Sequence, residues 1–381
     1  MEYFYLLNKY LQNSPVLKEI NWFDLSAGTN ILLKNYPSQI KCLGKLITIK
    51  RLISYFGKDN KINELIIGIK PAQNKDIFSI RLPMNLNNLD YIKLYALMIS
   101  EGSFKTEFSL NVPENEFHIL FKNSLNNLFP DFKIKLDTNN EIKRSRAPAL
   151  IRYLLPFYDN LPKILFNDKS FAKEYLKIVF EAEGSPIFNL SKSKKYIKLS
   201  RNSDVTNFFM NKAELIEGKR LFINKIKDVY PEIFTKIMKH PNITLLGEHL
   251  LLKYHFDINS SIKLESICLN KVDNRCGKIS AKWVLYIYAE EIDKFIREIG
   301  FISKNKIDIC ANMAKISSRR SRYFVLKIME GIQKQKIFSA KDFMKKMREL
   351  GYKSPQKFLW DYHKNKKLIE RIGKAKYKLL N

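Results

Sequence analysis

Glu101 and Glu183 stand in the same short pattern, each followed by glycine and serine: ISEGSF over 99–104 and EAEGSP over 181–186. Each closes an apolar-rich window, Leu89–Ser100 or Phe171–Ala182, whose spacing predicts a helix. A glycine just past a helix readily takes the left-handed conformation that stops it, so each Glu-Gly could be no more than a C-cap. A carboxylate in the last turn, however, faces the negative end of the helix dipole, which is unfavourable unless a cation offsets it. Two such acids, carried side by side to one end of a packed helix pair, could share hard divalent cations with phosphate oxygens. Both readings stay open on these residues alone.

The elements that must position the two acids also repeat. After Gly102 come a strand-like FKTEFSLNV, a helical ENEFHILFKNSLNNLF and a strand-like FKIKLDTN. After Gly184 come IFNL and YIKLSR as a hairpin, helical windows, the strands SSIKLESICL and SAKWVLYIY, and the helix EEIDKFIREIG. An internal duplication explains this, with a first repeat over 86–168 and a second over 169–305 enlarged by an insertion, 204–240, expected to be helical. The fold class expected is α+β. Residues 1–85 read as a mixed, mostly helical region with windows Tyr3–Leu11 and Ile40–Tyr55, ending in an extended DIFSIRLP that Pro83 closes. In the last segment, 315–381, windows Tyr323–Ile332, Ser339–Leu350 and Ser354–Asn365 have helical spacing, with Ser339 and Ser354 at N-cap positions. KLIERIGKAKYKLL follows as strand, turn and strand, completing a winged-helix plan.

The repeated segments resemble the LAGLIDADG homing endonuclease family. The nine-residue motif aligns with LYALMISEG at 94–102 and LKIVFEAEG at 176–184, and the flanks LPKILFNDKSFAKEYLKIVFEAEGSP and LLLKYHFDINSSIKLES add to the likeness, over roughly residues 80–303. The resemblance implies a duplicated αββαββα core with pseudo-twofold symmetry, a DNA-binding β-saddle, and metal-dependent hydrolysis of both strands of a long duplex site, as in intron homing. It puts catalysis and Mg²⁺ binding on Glu101 and Glu183, and the motif-helix interface on Ala96, Ser100, Gly102, Ile178, Ala182 and Gly184. Ala96 and Ser100 allow close helix approach, whereas Ile178 replaces the family's usual small residue. The same fold also serves catalytically silent DNA-binding regulators and intron-splicing maturases, for which RNA would be a partner. Retention of both acids favours the nuclease, and Ile178 and the basic C-terminal segment favour the binder. No His-Asn pair closes the chain, so intein splicing chemistry is not expected.

The charge balance points to the same partner. With 67 Lys and Arg against 38 Asp and Glu, the net charge is +29, which suits a polyanion: nucleic acid is the leading partner, double-stranded DNA being the one the resemblance implies, and an anionic membrane the runner-up. Residues 315–381 alone hold 20 Lys and Arg against 5 Asp and Glu. In KYIKLSRN, alternation puts Lys195, Ile197, Leu199 and Arg201 on one face and Tyr196, Lys198, Ser200 and Asn202 on the other, the second face suiting base contact. Candidate DNA contacts are Lys105, Lys133, Lys135, Lys195, Lys198, Arg201, Lys263 and Lys282, with Lys143, Arg144 and Arg146 as a further basic cluster. No one lysine is singled out as catalytic. In the C-terminal segment Lys353, Gln356, Lys357, His363 and Lys364 would lie on the recognition helix, and Arg371, Lys374, Lys376 and Lys378 on the wing.

Other classes are excluded by pattern. Even the apolar run Ile243–Phe256 carries Glu248, His249, Lys253 and His255, so no membrane span is expected. The four cysteines, Cys42, Cys268, Cys276 and Cys310, show no CxxC spacing, which argues against structural zinc and a disulfide framework. The N-terminus lacks the features of a signal peptide. A soluble, intracellular monomer of the cytoplasm or nucleoid is expected.

Overall fold

The computed structural model describes residues 2–17, 19–25, 29–34, 46–70, 77–103, 108–130, 134–139, 142–147, 151–189, 194–209, 221–269, 278–315, 337–349, 356, 359–360, 363 and 369–379. The chain opens with α1 (Glu2–Asn13), β1 (Asn30–Leu33), β2 (Leu46–Thr48), α2 (Ile49–Phe56) and β3 (Ile66–Lys70). The first repeat runs α3 (Leu89–Glu101), β4 (Gly102–Ser103), β5 (Phe108–Val112), α4 (Asn115–Leu128), β6 (Lys135–Asn139) and β7 (Ile142–Ala147), followed by short α5 (Ile151–Leu154) and α6 (Ile164–Asn167). The second runs α7 (Lys169–Ala182), β8 (Ser185–Asn189), β9 (Lys194–Asp204), β10 (Leu221–Phe222), α8 (Ile223–Val229), α9 (Pro231–Met238), α10 (Ile243–Phe256), β11 (Ser261–Leu269), β12 (Ile279–Tyr288) and α11 (Ile292–Glu298). Then come α12 (Lys304–Lys315), β13 (Ile337–Ser339), α13 (Ala340–Glu349), β14 (Ile369–Gly373) and β15 (Lys376–Leu379).

The fold is α+β, with antiparallel sheets, and its two halves repeat one plan. The first sheet has the order β4-β5-β7-β6, and the second has β8-β9-β12-β11 with β10 added at the far edge. In each, the helix before the sheet passes directly into its first strand. The insertion therefore supplies an edge strand, pairing Leu221 with Ile267, as well as helices α8 and α9. It is only partly helical.

Helices α3 and α7 pack side by side at the centre. Each has a clear start signal: Asn88 accepts the N–H of Asp90 at 2.7 Å, and Asp168 accepts those of Ser170 and Phe171 at 2.7 and 3.3 Å. All of Tyr91–Met98 of α3 except Lys93 is buried, as expected of a helix covered on nearly all sides. Ile178 of α7 is buried, and the rings of Tyr95 and Tyr175 meet between the two helices with centroids 6.0 Å apart.

Three local expectations are corrected. The described part of the window Ile40–Tyr55 begins as strand β2, and its helix starts only at Ile49, where Thr48 caps it by accepting the N–H of Arg51. The N-terminal region also holds a sheet of order β2-β1-β3 that the helical windows did not foretell. Strand β7 lies in the basic stretch EIKRSRAP, which has too few apolar residues to show alternation. Helix α1 docks on both repeats: Tyr3 donates to the carbonyl of Leu250 in the second at 3.1 Å, and Tyr10 accepts the N–H of Leu161 in the first at 2.8 Å. Gly247 in α10 makes room for it, because a Cβ there would lie 2.2 Å from the Tyr10 hydroxyl oxygen.

In the C-terminal segment, β13, β15 and β14 form one antiparallel sheet. Ser339 caps α13 as expected, accepting the N–H of Asp342 at 3.1 Å. The window Tyr323–Ile332 lies outside the described residues, as does most of Ser354–Asn365. Among the described residues no helix is long and apolar enough to cross a membrane.

Candidate active site

Glu101 is the last residue of α3, and Glu183 caps α7, its N–H donating to the carbonyl of Val179 at 2.9 Å. The glycines that follow are not left-handed stops. Gly102 has φ −88°, and neither it nor Gly184 has positive φ. Their need for glycine is one of space: a Cβ on Gly102 would lie 2.5 Å from the Met98 Cα, and one on Gly184 2.3 Å from the Phe180 carbonyl oxygen. The chain folds straight back from helix to strand over the preceding turn, and only hydrogen fits between them.

Glu183 feels the charge of Glu101. Burial pushes the Glu183 carboxyl up to about 7; Arg201 opposes the rise, and the negative charges of Glu101 and Glu248 add to it. Glu101 is also raised, by burial and then by Glu114, with Arg201 and Lys306 acting the other way. Burial therefore favours the neutral, protonated form of both carboxyls, so that keeping both ionised calls for a further cation.

Arg201, expected at a DNA contact, is instead buried beneath the acids. Its Nη1 donates to Glu183 Oε1 and to the carbonyl of Ile99 in the last turn of α3, both at 3.3 Å. Its Nη2 donates to Glu248 Oε1 at 2.6 Å, and that same oxygen accepts the Tyr175 hydroxyl at 3.1 Å. Glu248, on α10, is fully buried. Lys195 lies on the same inward face of β9, with burial lowering its pKa. For both, alternation gave the right partition of side chains, but the face they share is the one that packs on helices.

Two further residues near the acids were not foreseen. Glu181 Oε2 accepts the N–H groups of Ile302 at 2.7 Å and Ser303 at 3.1 Å, fastening the start of α12 to α7. Lys306 of α12 donates to the Glu181 carbonyl, lies 3.7 Å from its Oε1, and is among the cations that act on Glu101. Glu248 alone left a signal, as an acid inside an apolar helical window.

The outward sheet faces carry the remaining described candidates. Lys135 pairs with Arg146, and Asn111 with Arg144, on the face opposite Phe108 and Leu110. On the second sheet, cross-strand register groups Ser185, Lys198, Tyr286 and Ser261 in one row, Tyr196 with Tyr288 in the next, and Asn202 with Lys282 beyond. Lys263 sits over the rings of Tyr286 and Tyr288, at 5.8 and 5.4 Å from their centroids, and Lys282 pairs with Glu265 at 2.7 Å. Lys376 is exposed on β15, beside Arg371, Lys374 and Lys378 on the same hairpin. Gln356 is exposed, whereas His363 turns inward, its Nδ1 3.3 Å from the Ile369 carbonyl and its ring against Tyr377. Lys105, Lys133, Lys353, Lys357 and Lys364 lie outside the described residues.

The donor set suits a hard divalent cation. Among the described residues no cluster of three or more His, Cys, Asp or Glu could hold a metal. Magnesium, however, commonly takes one or two carboxylates and fills its shell with water and substrate phosphate. Two carboxylates of raised pKa at one helix-pair end fit that pattern, with Glu183 already sharing one oxygen with Arg201.

No protein-family model matches the chain, and no curated protein matches it. Among solved structures, the chain is similar to I-DmoI in complex with DNA and Mn, at 16% identity, covering 56% of this chain and 98% of that one, with a TM-score of 0.31. It is similar to the N-terminal LAGLIDADG domain of DUF199/WhiA at 14% identity, covering 59% and 88%, with a TM-score of 0.32. Full-length DUF199/WhiA from Thermatoga maritima matches at 14% identity, over 66% of this chain and 68% of that one, with a TM-score of 0.33.

Proposed function

We propose that this chain is a divalent-metal-dependent endonuclease of double-stranded DNA, with Glu101 and Glu183 as its catalytic acids. The observation that carries this reading is the pair of carboxylates at matching ends of the packed helices α3 and α7, with the negative charge of Glu101 helping to raise the proton affinity of Glu183. Such charge needs a cation, and the basic chain around it suits a phosphate backbone. Glu101 and Glu183 would hold Mg²⁺. When bound, the ion would supply Lewis-acid stabilisation of the scissile phosphate and an activated water.

The chain's own groups do the rest. Lys198, in register with Ser185 two residues past Glu183, offers its charge on the outward face near the acids. Lys135, Arg144 and Arg146 hold the backbone on the first sheet, while Asn202, Ser200 and Tyr196 face base edges from the second. Residues 315–381 add an exposed basic hairpin as a further backbone contact.

One observation favours a silent DNA binder: Arg201 Nη1 lies 3.3 Å from an oxygen of Glu183 that a metal would use. The two readings part in a selection. Full-length protein is incubated with a randomised duplex library in Mg²⁺, and bound and cleaved molecules are sequenced. A nuclease yields a recurrent cleaved sequence; a binder enriches a sequence that stays intact in Mg²⁺ and Mn²⁺.

A further inference from the structure

The duplication shares one four-strand order, β10 aside, but not one pattern of charge. Register matches the two halves: Ser103 pairs with Ser109 in the first sheet, and Ser185 with Lys198 in the second. Three residues beyond Ser109 stands Val112, a buried apolar side chain; three beyond Lys198 stands Arg201. Among the described residues, only the second repeat places a guanidinium under its acid. That one group touches Glu183, reaches the α3 carbonyl of Ile99 two residues before Glu101, and acts electrostatically on both acids.

Resting on the nuclease reading, we propose that Arg201 is a positioning residue that sets the Glu183 carboxylate against the end of α3, and that Glu248 and Tyr175 hold it in place. A guanidinium suits this task because its planar fork carries several donors in fixed directions. Nε and Nη2 face the two oxygens of Glu248, at 3.4 and 2.6 Å, which leaves Nη1 aimed at Glu183 and Ile99. The Tyr175 hydroxyl, itself on α7, closes the arrangement at Glu248 Oε1. Helix α10 thereby fixes, through one arginine, where the ends of α3 and α7 stand. Because its Nη1 donates directly to the Glu183 carboxylate, Arg201 acts through that residue.

Arg201→Lys keeps the charge and loses the fork, and Tyr175→Phe removes only the hydroxyl that steadies Glu248. For Arg201→Lys, turnover in Mg²⁺ is expected to fall on the order of 100-fold, the effect of misplacing a catalytic group by about 1 Å, with KM for the duplex unchanged. Mn²⁺ affinity, read by electron paramagnetic resonance without turnover, is expected to weaken at least about tenfold. Tyr175→Phe should change both in the same direction by less. A merely structural arginine would lower the melting temperature and leave turnover and Mn²⁺ affinity per folded molecule as in the wild type; that result overturns the proposal. If Arg201→Lys does not fold, Tyr175→Phe decides by the same two readouts. Glu101→Gln and Glu183→Gln, run in parallel, test the underlying reading. Cleavage surviving in both defeats the assignment of Glu101 and Glu183 as the catalytic acids, whereas its loss in both with Arg201→Lys at wild-type values defeats only the positioning role.

Discussion

At the level of single residues, the site is a balance between burial, like charge and one buried cation. With the Glu183 carboxyl raised to about 7, the metal-free folded state holds a proton that the unfolded chain has already lost. Between about pH 4.5, the ordinary value, and about 7, that difference makes stability fall as pH rises, by up to about 3 kcal/mol. Denaturant titrations of wild type and Glu183→Gln across this range are expected to show the decline in the wild type and its attenuation in the variant. Glu248→Ala should be far more damaging, because it leaves the Arg201 guanidinium buried without its main partner, at a cost of about 3–5 kcal/mol in urea melts. The sequence made Glu101 and Glu183 legible because they recur in one pattern. It could not assign Arg201, since alternation separates two faces of a strand without saying which is covered. Glu248 was visible only as an exclusion against a membrane span.

At the level of elements, two helices were readable because their apolar spacing and N-caps agree, and the strands of the second sheet because β-branched and aromatic residues dominate them. β7 was not readable: Lys143, Arg144, Ser145 and Arg146 make a strand only because β5 and β6 pair with it on both sides. The Glu-Gly junctions do end the helices, as the C-cap alternative has it, but without the left-handed glycine that alternative invokes. Steric closeness, rather than left-handed backbone, makes the stronger claim: Gly184→Ala must move the Phe180 carbonyl and with it the end of α7. The expected cost is about 1–3 kcal/mol, as for other overpacked sites, read as a lower melting midpoint. Alanine at Gly57, whose Cβ would meet nothing within 4 Å, is limited to the backbone strain of its φ of +61°.

At the level of the whole molecule, a net charge of +29 surrounds a pair of acids, and the structure sorts which basic residues face outward. Lys198 and Arg146 lie on exposed sheet faces and Lys195 on an inward one. Removing either of the first two should weaken duplex binding for all sequences and reduce the slope of log affinity against log salt by about 1, while Lys195→Ala leaves the slope unchanged. Fluorescence anisotropy over a salt series measures this. Duplication and charge were thus plain in composition and pattern, whereas the docking of α1 on α10 depends on contacts between distant stretches that no local pattern encodes. The central claim is that Glu101 and Glu183 together cut DNA, and single-turnover cleavage of a selected duplex by the full-length protein in Mg²⁺ tests it most directly. The account predicts cutting of both strands by the wild type and none by Glu101→Gln or Glu183→Gln, each of which still binds the duplex. Intact duplex with the wild type under Mg²⁺ and Mn²⁺, or undiminished cutting by both variants, would contradict it.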